Sequence, residues 1–554
     1  MITVVNGFGA FDPVWGGSTN GMVQTTRDAS QSWQDVTPAG LPKNSEIEAI
    51  EASHYDPSTA YVVLNARQDL QPYIFRTRDA GKSWQKITTG LQPDWIARVI
   101  REDPVRKGLL YAGTENALYV SFDDGDHWQS LQLNFPASDV RDLAVHGDDL
   151  VAATYGRAIW ILDDITPLRQ AGPEITSANA YLLKPANAVR TRYDNDQETP
   201  LPPEEPTAKN PPDGAIIDYY LKSVPANPLS LEIHDAHGKV VRRFNSLTSA
   251  VDSTPKNVPD YWFGPPTHLP KDAGLNRFVW DLRYDPPQAL NFGYYGGLLD
   301  YVEYTISDHA LPADTPREQT LGPLAVPGQY EVIFIGNGTV MKQPLTITLD
   351  PRVHVSQADL EAQLLAAKRI DSGLAASAKA FRSITNLRAA IADRLKTLGV
   401  PSDKDSHARF GEDSAQAKEK SPEEKAQEEK AAAANPQAKA AADALYGLDK
   451  KAGAILEGTF EAPGVGPSNR DLARTSFFIQ SGDAAPSQTA KAVLEESCAQ
   501  LNKNLSAWRD LDSQSVPATN TIITKSNLAA LPTATVMSIT TVQHDATPAD
   551  ACAP

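Results

Sequence analysis

Thr77-Arg78-Asp79-Ala80-Gly81-Lys82-Ser83-Trp84 returns further along the chain as Ser121-Phe122-Asp123-Asp124-Gly125-Asp126-His127-Trp128. An earlier copy, Thr26-Arg27-Asp28-Ala29-Ser30-Gln31-Ser32-Trp33, carries Ser30 where the others have Gly81 and Gly125. The pattern reads as a folding device. Asp28, Asp79 and Asp123 are expected to accept backbone N–H bonds within a turn, glycine supplies a positive φ, and Trp33, Trp84 and Trp128 pack between strands. Self-similarity at this interval is the signature of propeller blades.

Working outward from the second copy, residues 46–52, 60–66, 73–77 and 83–88 read as four short strands, with turn signals at 54–57 and 67–72. The third repeat follows the same plan at 97–101, 109–113, 117–121 and 128–131. A last unit, at 140–146, 150–154 and 157–162, has three strands and no copy of the turn motif. The first unit is expected to lack its innermost strand. The count is roughly four blades, two of them incomplete, and an open arc exposes strand edges that natural proteins avoid. The expectation is therefore a C-terminal portion of a longer protein whose missing part held the signal peptide, or a truncated fragment without independent function. Met1 to Asn6 has neither the basic region nor the apolar run of a secretory signal.

Arg101-Glu102-Asp103-Pro104 with Leu110-Tyr111-Ala112-Gly113-Thr114, and Thr154-Tyr155-Gly156-Arg157 with Trp160-Ile161-Leu162-Asp163-Asp164, add to the turn motifs. Together they resemble the Asp-box β-propellers, which include sialidases, xyloglucanase-type glycoside hydrolases and sortilin-type receptors. Within that group the chain looks like the bacterial BNR-repeat, glycosyl hydrolase-like or sortilin-like propeller proteins. The resemblance implies a propeller that closes just before a sandwich domain, and a secreted or periplasmic location. It describes the repeats and certifies no activity.

In a blade the strands run up and down, so the motif turns lie away from the face formed by residues 7–21, 67–72, 91–95, 115–116 and 155–157. That face is the expected ligand-binding mouth. In its first loop Phe8, Phe11, Asp12 and Trp15 suggest an aromatic platform for sugar rings or peptide side chains, and Trp95, Tyr155 and Arg157 join Phe11 and Trp15 as ligand-binding candidates. Glycoside hydrolysis needs two carboxyl groups about 5 to 9 Å apart. Asp12, Asp69, Asp94 and Glu115 are the mouth candidates, and spacing along the chain does not pair them. Arg67, Arg157 and Tyr155 are too few and too scattered for a sialidase site.

Two function classes follow. One is an extracytoplasmic protein that binds a carbohydrate or a protein or peptide partner at the mouth, with no demonstrable catalytic set. The other is a glycoside hydrolase whose carboxylates lie partly in missing blades. A partner chain completing the propeller is a further candidate. Acidic residues (69) outnumber Lys plus Arg (51), for a net charge of -18, and no basic groove is evident, which argues against nucleic acid. No run of about 18 apolar residues exists to span a membrane. No metal or cofactor site is expected: His234 and His237 flank a hairpin turn without further ligands.

The fold class is thus multidomain and mainly β: a partial Asp-box propeller (1–165), a linker (166–210), an immunoglobulin- or fibronectin-like sandwich (211–352), a helical domain (353–531) and a disordered tail (532–554). Period-two alternation carries the sandwich, most clearly in Phe278, Trp280, Leu282 and Tyr284. Leu360 to Leu398 recur at three- and four-residue steps as one long helix opened by Ser356 and Asp359, and Leu494 to Leu511 form a second series that packs back as a hairpin or small bundle. Residues 403–440 are a charged linker. Cys498 and Cys552 either pair, in an oxidising compartment, or remain thiols.

Overall fold

Each repeat folds as one antiparallel sheet, in which the first strands of the second and third repeats alternate in burial and their middle strands are buried almost throughout. The structure is a computed structural model in which the described residues are 3–5, 13–28, 30–192, 210–247, 267–287, 321–400, 436–533 and 550–553, with positions 202, 204, 205, 208 and 290 and the pairs 304–305 and 310–311. Two units divide the chain. The first holds Met1–Ala186, Ile216–Lys222 and Ala273–Leu275, and the second holds the remainder.

The first unit begins with the sheets β1 (Thr3–Val5), β2 (Val14–Gly17), β3 (Val23–Thr26), β4 (Gln34–Asp35); β5 (Ser45–Ala52), β6 (Ala60–Ala66), β7 (Tyr73–Thr77), β8 (Gln85–Lys86); and β9 (Ala97–Glu102), β10 (Leu110–Thr114), β11 (Leu118–Ser121), β12 (Gln129–Ser130). A fourth sheet has three strands, β13 (Asp139–His146), β14 (Asp149–Tyr155) and β15 (Ile159–Leu162). The first repeat therefore has the inner strand that its sequence was expected to lack: Thr3–Val5 pairs with Trp15–Gly17. A three-residue strand leaves too short a period to read.

Successive sheets are glued by apolar faces. Trp15 and Val23 meet Ile47, Ile50, Val62 and Leu64; Tyr61, Val63 and Ile74 meet Ile100, Leu110 and Trp128; Val99, Tyr111 and Leu118 meet Val140, Leu143 and Leu150. The inner strands lie side by side, β9 between β5 and β13. Between sheets, each tryptophan acts as a strap: the indole of Trp84 donates to the carbonyl of Val36 at 2.7 Å and that of Trp128 to Ile87 at 2.9 Å. Both carbonyls follow the outermost strand of the preceding sheet. Trp33, with no sheet on its outward side among the described residues, is 40% exposed.

Residues 166–192, expected as linker, are ordered elements instead. They form α1 (Thr166–Gln170), α2 (Pro173–Ser177), β16 (Ala180–Leu182) and β17 (Ala188–Arg190). Prolines at the starts of both helices fit the position where a missing N–H costs nothing. Arg169 of α1 folds back onto the fully buried Asp103 at 2.9 Å, which fastens α1 to the third sheet.

Beyond these come β18 (Ala215–Leu221), β19 (Ser230–Asp235), β20 (Val240–Asn245), β21 (Gly274–Trp280), the pair β22 (Tyr304–Thr305) and β23 (Ala310–Leu311), β24 (Gly328–Gly336) and β25 (Thr339–Leu349). One sheet has the order β17-β25-β24-β19-β20 and another β16-β18-β21. β17 joins β25 in parallel, a pairing that no local pattern announces. In the second unit Phe278 of β21 meets Phe244 edge-on at 4.7 Å, and Trp280 meets Tyr330 at 5.9 Å. The strand expected to run on to Tyr284 ends at Trp280, because Leu282 takes a left-handed φ of 58° and turns the chain.

The C-terminal part contains α3 (Gln357–Thr397), α4 (Pro436–Glu457), α5 (Val465–Gln480), α6 (Gln488–Asp510) and α7 (Val516–Ile523). Ser356 caps α3, its hydroxyl accepting from the Asp359 N–H at 3.2 Å. The helices share one core that includes Ile370, Leu374, Leu387, Leu445, Leu472 and Leu501. The expectation of two principal helices missed α4, α5 and α7. Residues 436–440, assigned to the charged linker, open α4, and residues 401–435 lie outside the described residues. Cys498 and Cys552 are joined by a disulfide, and Ala551 and Cys552 are buried, so the tail's last residues are anchored rather than disordered. The rest of that tail, 534–549, lies outside the described residues.

Candidate ligand-binding face of the repeat unit

At one end of the four sheets lie the motif turns. Asp28 accepts the Ser32 N–H at 2.9 Å and its hydroxyl at 2.6 Å, Asp79 treats Ser83 likewise at 2.8 and 2.6 Å, and Asp123 accepts the His127 N–H at 2.8 Å. Gly81 and Gly125 have φ of +84° and +89°, and Ser30 is held at 69° in the corresponding place. These contacts are all internal to the turns.

At the other end the inner strands begin, and they begin with charge. Arg98 of β9, largely buried, reaches Glu48 of β5 at 3.1 Å, Asp139 of β13 at 3.3 Å and Glu115 of the β10–β11 turn at 3.8 Å. Glu48 also accepts from Asn65 at 2.9 Å, and Arg67 holds Glu46 at 2.7 Å. Arg141 pairs with Asp139 at 2.6 Å and lies 5.3 Å from the ring centre of Tyr155. Deeper along the same strands, Arg101 bridges Glu51 at 3.6 Å and Asp142 at 2.6 Å. A cleft of about 440 Å³ opens between the three strands, with Glu48, Glu51, Arg98, Arg101, Arg141 and Asp142 on its walls. Asn65 Oδ1 is buried here without a hydrogen-bond partner, and Arg98 Nε and Asp139 Oδ1, also buried, meet each other as an ion pair at 3.3 Å without the geometry of a hydrogen bond.

Two of the nine candidates from the sequence, Glu115 and Tyr155, join this network. Phe11 and Asp12 lie outside the described residues. Trp15 is corrected: it belongs to β2, is wholly buried and stands edge-on to Trp84 at 6.1 Å, so it offers no open platform. The cause is the strand at 14–17 within what read as one long glycine-rich loop. Trp95 is half-buried against the core between the second and third sheets. Asp94 is exposed, and Arg157 is an exposed turn residue whose carbonyl takes the Trp160 indole N–H at 2.8 Å. Asp69 accepts the Tyr73 hydroxyl at 2.6 Å; that bond, with the Gln71 N–H, holds its carboxyl below the usual range, while the Tyr73 hydroxyl is pushed up to about 12.

The sequence reading missed Glu48, Arg98, Asp139 and Arg141 because they sit inside strands. Their signal was charge alternating with apolar residues at the start of each repeat's first strand, Glu46-Ile47-Glu48, Arg98-Val99 and Asp139-Val140-Arg141. Glu102, a carboxyl that burial pushes up, ends β9 at the far side and accepts the His54 N–H at 2.6 Å. Among the described residues no group of three or more His, Cys, Asp or Glu is placed to hold a metal ion, and no helix is long and apolar enough to cross a membrane.

With this geometry in hand, residues 21–135 match the family model of Sortilin, neurotensin receptor 3 (Sortilin-Vps10). The repeat unit is a sortilin-like propeller segment. Solved structures similar to this chain include YCF48 bound to D1 peptide, at 21% identity over 28% of this chain and 48% of that one, with a TM-score of 0.23. The GH74 xyloglucanase from Xanthomonas campestris is 13% identical over 62% and 55%, with a TM-score of 0.26. PorZ, an essential bacterial surface component of the type-IX secretion system of Porphyromonas gingivalis, is 11% identical over 62% and 45%, with a TM-score of 0.24. The chain spans about half the length of these structures. None of the curated proteins compared with it matches.

Proposed function

We propose that this chain belongs to an extracytoplasmic Asp-box propeller protein, with an immunoglobulin-like sandwich and a helical domain behind the repeats, that binds a charged peptide segment of a partner protein at the cleft between β5, β9 and β13. The observation that carries the reading is the Arg98 network, in which arginines and carboxylates from three sheets converge on one cleft beside the exposed Tyr155. Mixed charges at a rim steer and orient a complementary partner and set specificity. Tyrosine beside arginine is a frequent pairing at protein-binding surfaces. Of the aromatic side chains expected to form a sugar platform, Trp15 is buried and Trp95 half-buried, which leaves Tyr155 as the exposed one among the described residues. The Cys498–Cys552 disulfide fits an oxidising compartment.

The hydrolase reading has less support. Its acid needs a carboxyl held in the protonated form. At the mouth, Glu48, Glu115 and Asp139 face Arg98, and Asp69 is held below the ordinary range.

A fluorescence-polarisation screen of labelled acidic, basic and mixed-charge 12-residue peptides, run beside xyloglucan oligosaccharides, tests the proposal. Expected is selective binding of one charged class that weakens roughly tenfold in Arg141→Ala or Tyr155→Ala, the scale of one lost contact near 1.4 kcal/mol. Equal binding by wild type and both variants, or binding of the oligosaccharides alone, would overturn it.

A further inference from the structure

Three arginines gather where β17 ends. Arg190 and Arg192 both donate to one oxygen of a single carboxylate, Asp483 Oδ1, at 2.7 and 2.6 Å. Arg192 also reaches the Gln480 carbonyl at 2.6 Å, and Arg190 reaches the Ala325 carbonyl at 2.7 Å and Gln363 Oε1 at 3.0 Å. The main chain brings Arg283 to the same place. It pairs in a β-bridge with Leu324, the neighbour of Ala325, and the Ala325 N–H donates to the Leu282 carbonyl at 2.7 Å. The Arg283 guanidinium donates to the Gly322 carbonyl at 3.0 Å.

The charges of these three side chains are not balanced by their partners. Among the described residues Asp483 is the carboxylate within ion-pair distance of Arg190 and Arg192, and Arg283 has none. Asp281 accepts the Arg283 main-chain N–H at 3.1 Å but pairs its charge with Arg242 at 2.6 Å; Asp285, exposed, is 3.8 Å from Arg242 as well. Asp213 acts on Arg283 from beyond ion-pair distance, and burial pushes its carboxyl up. Burial lowers the guanidinia of Arg190 and Arg283 from their ordinary range, and the charge of Arg192 lowers both further. A guanidinium does not escape such a site by losing its proton, so it needs a counter-charge. Two donors of the cluster, Arg190 Nε and Arg192 Nη2, are buried without an acceptor. The chain as a whole carries a net charge of -18, so a local surplus of positive charge is not a by-product of composition.

We propose that Arg190, Arg192 and Arg283 form a binding site for a small oxyanion of the phosphate or sulfate type. The anion spans the guanidinia of Arg192 and Arg283, both partly open to solvent, and the buried Arg190 adds its charge. Planar guanidinium groups offer paired N–H donors that fit two oxygens of one anion, and such charge-assisted bonds are stronger than neutral ones. A dianion matches the two positive charges that three arginines retain after Asp483 has taken one. The site lies in the second unit and shares no residue with the cleft between β5, β9 and β13, so either proposal can fail alone.

Isothermal titration calorimetry of the full 554-residue chain with sodium phosphate and with sodium sulfate, beside sodium acetate and sodium chloride at matched ionic strength, tests the proposal. Expected is saturable binding of phosphate or sulfate at a single site, with acetate and chloride at least roughly tenfold weaker because they bring one charge and fewer acceptor oxygens. Arg192→Gln keeps the Arg190–Asp483 pair and is expected to weaken binding at least roughly tenfold, the scale of one lost charge-assisted bond, with an unchanged circular dichroism spectrum. Arg283→Lys, a second and independent variant, keeps the charge but loses the paired donors and is expected to weaken binding in the same direction. Arg67→Gln, on the first unit, is expected to bind as the wild type does. No binding by the wild type overturns the proposal, since the chain's own carboxylates would then already neutralise the arginines. Acetate binding as tightly as phosphate, or both cluster variants binding like the wild type, overturns it as well.

Discussion

Arg190 and Asp483, far apart in sequence, meet in a buried ion pair at 2.7 Å, with 1% and 5% of their side chains exposed. The pair ties β17 to the segment that follows α5. Arg190 also donates to the Ala325 carbonyl at 2.7 Å and to Gln363 of α3 at 3.0 Å, and Arg192 reaches Asp483 at 2.6 Å. Burial pushes the Asp483 carboxyl up, but the hydrogen bonds from the two arginines prevail and hold it below the ordinary range. Asp483→Ala leaves Arg190 buried without its counter-charge, for which the expected loss is about 3–5 kcal/mol. Urea denaturation followed by far-ultraviolet circular dichroism measures it; a loss below about 1 kcal/mol would mean that solvent reaches the site.

Asp28 predicts how the repeats respond to acid. Bonds from the Ser32 hydroxyl and N–H and from Thr26 lower its carboxyl from 3.8 to about 2, and Asp79 shifts in the same direction through Ser83. A depressed folded value means that the stabilisation is complete above the unfolded value and is lost as pH falls toward the folded one. The melting temperature of the wild-type repeats is therefore expected to drop between pH 4 and pH 2, and Asp28→Asn to flatten that drop, as seen by differential scanning fluorimetry across this window.

Asp371 on α3 gives the opposite slope. Burial raises its carboxyl to about 8 against a weaker pull from Lys368, and its Oδ1 has no hydrogen-bond partner. Between pH 4 and pH 8 the folded chain holds a proton that the unfolded chain has released, so stability falls as pH rises. Asp371→Asn is expected to raise the melting temperature at pH 8 and leave it nearly unchanged at pH 4. Equal shifts at both values would show that packing, not ionisation, governs the site.

Ser30 adopts the left-handed φ of 69° that its counterparts leave to Gly81 and Gly125. A side chain in that region costs about 1–2 kcal/mol. Ser30→Gly is expected to stabilise the first repeat by about 1 kcal/mol after the extra backbone entropy of glycine is allowed for. Denaturation monitored by tryptophan fluorescence would detect the change, and a loss of stability would mean that the Ser30 side chain contributes more than its backbone strain costs.

The Cys498–Cys552 bond closes a separation of 54 residues. Loop-closure entropy for that length corresponds to about 4 kcal/mol. Reduction with dithiothreitol, or Cys552→Ser, is expected to lower the melting temperature of the helical domain and leave the repeats unchanged, with limited proteolysis reporting release of the C-terminus.

The repeats were legible because each turn motif is built from local contacts: Asp79 with Ser83 and Asp123 with His127 are four residues apart and need no knowledge of the rest of the chain. Helix α3 was legible for a similar reason, its cap and apolar stripe both lying within one segment. Elements that depend on distant partners were not. Thr3–Val5 is a strand because β2 is beside it, β17 because β25 accepts it in parallel, and α5 because Leu472 and Ile479 find the core of neighbouring helices. The candidate site belongs to this second class. Arg98, Glu48 and Asp139 are spread over three repeats, and each reads alone as a solvated charge on a strand. Only the side-by-side placement of β5, β9 and β13 brings them within ion-pair distance. Local hydrogen bonds and periodicity are written in consecutive residues, whereas convergence of charge depends on how sheets stack, which is set by apolar faces that carry no label of their partner.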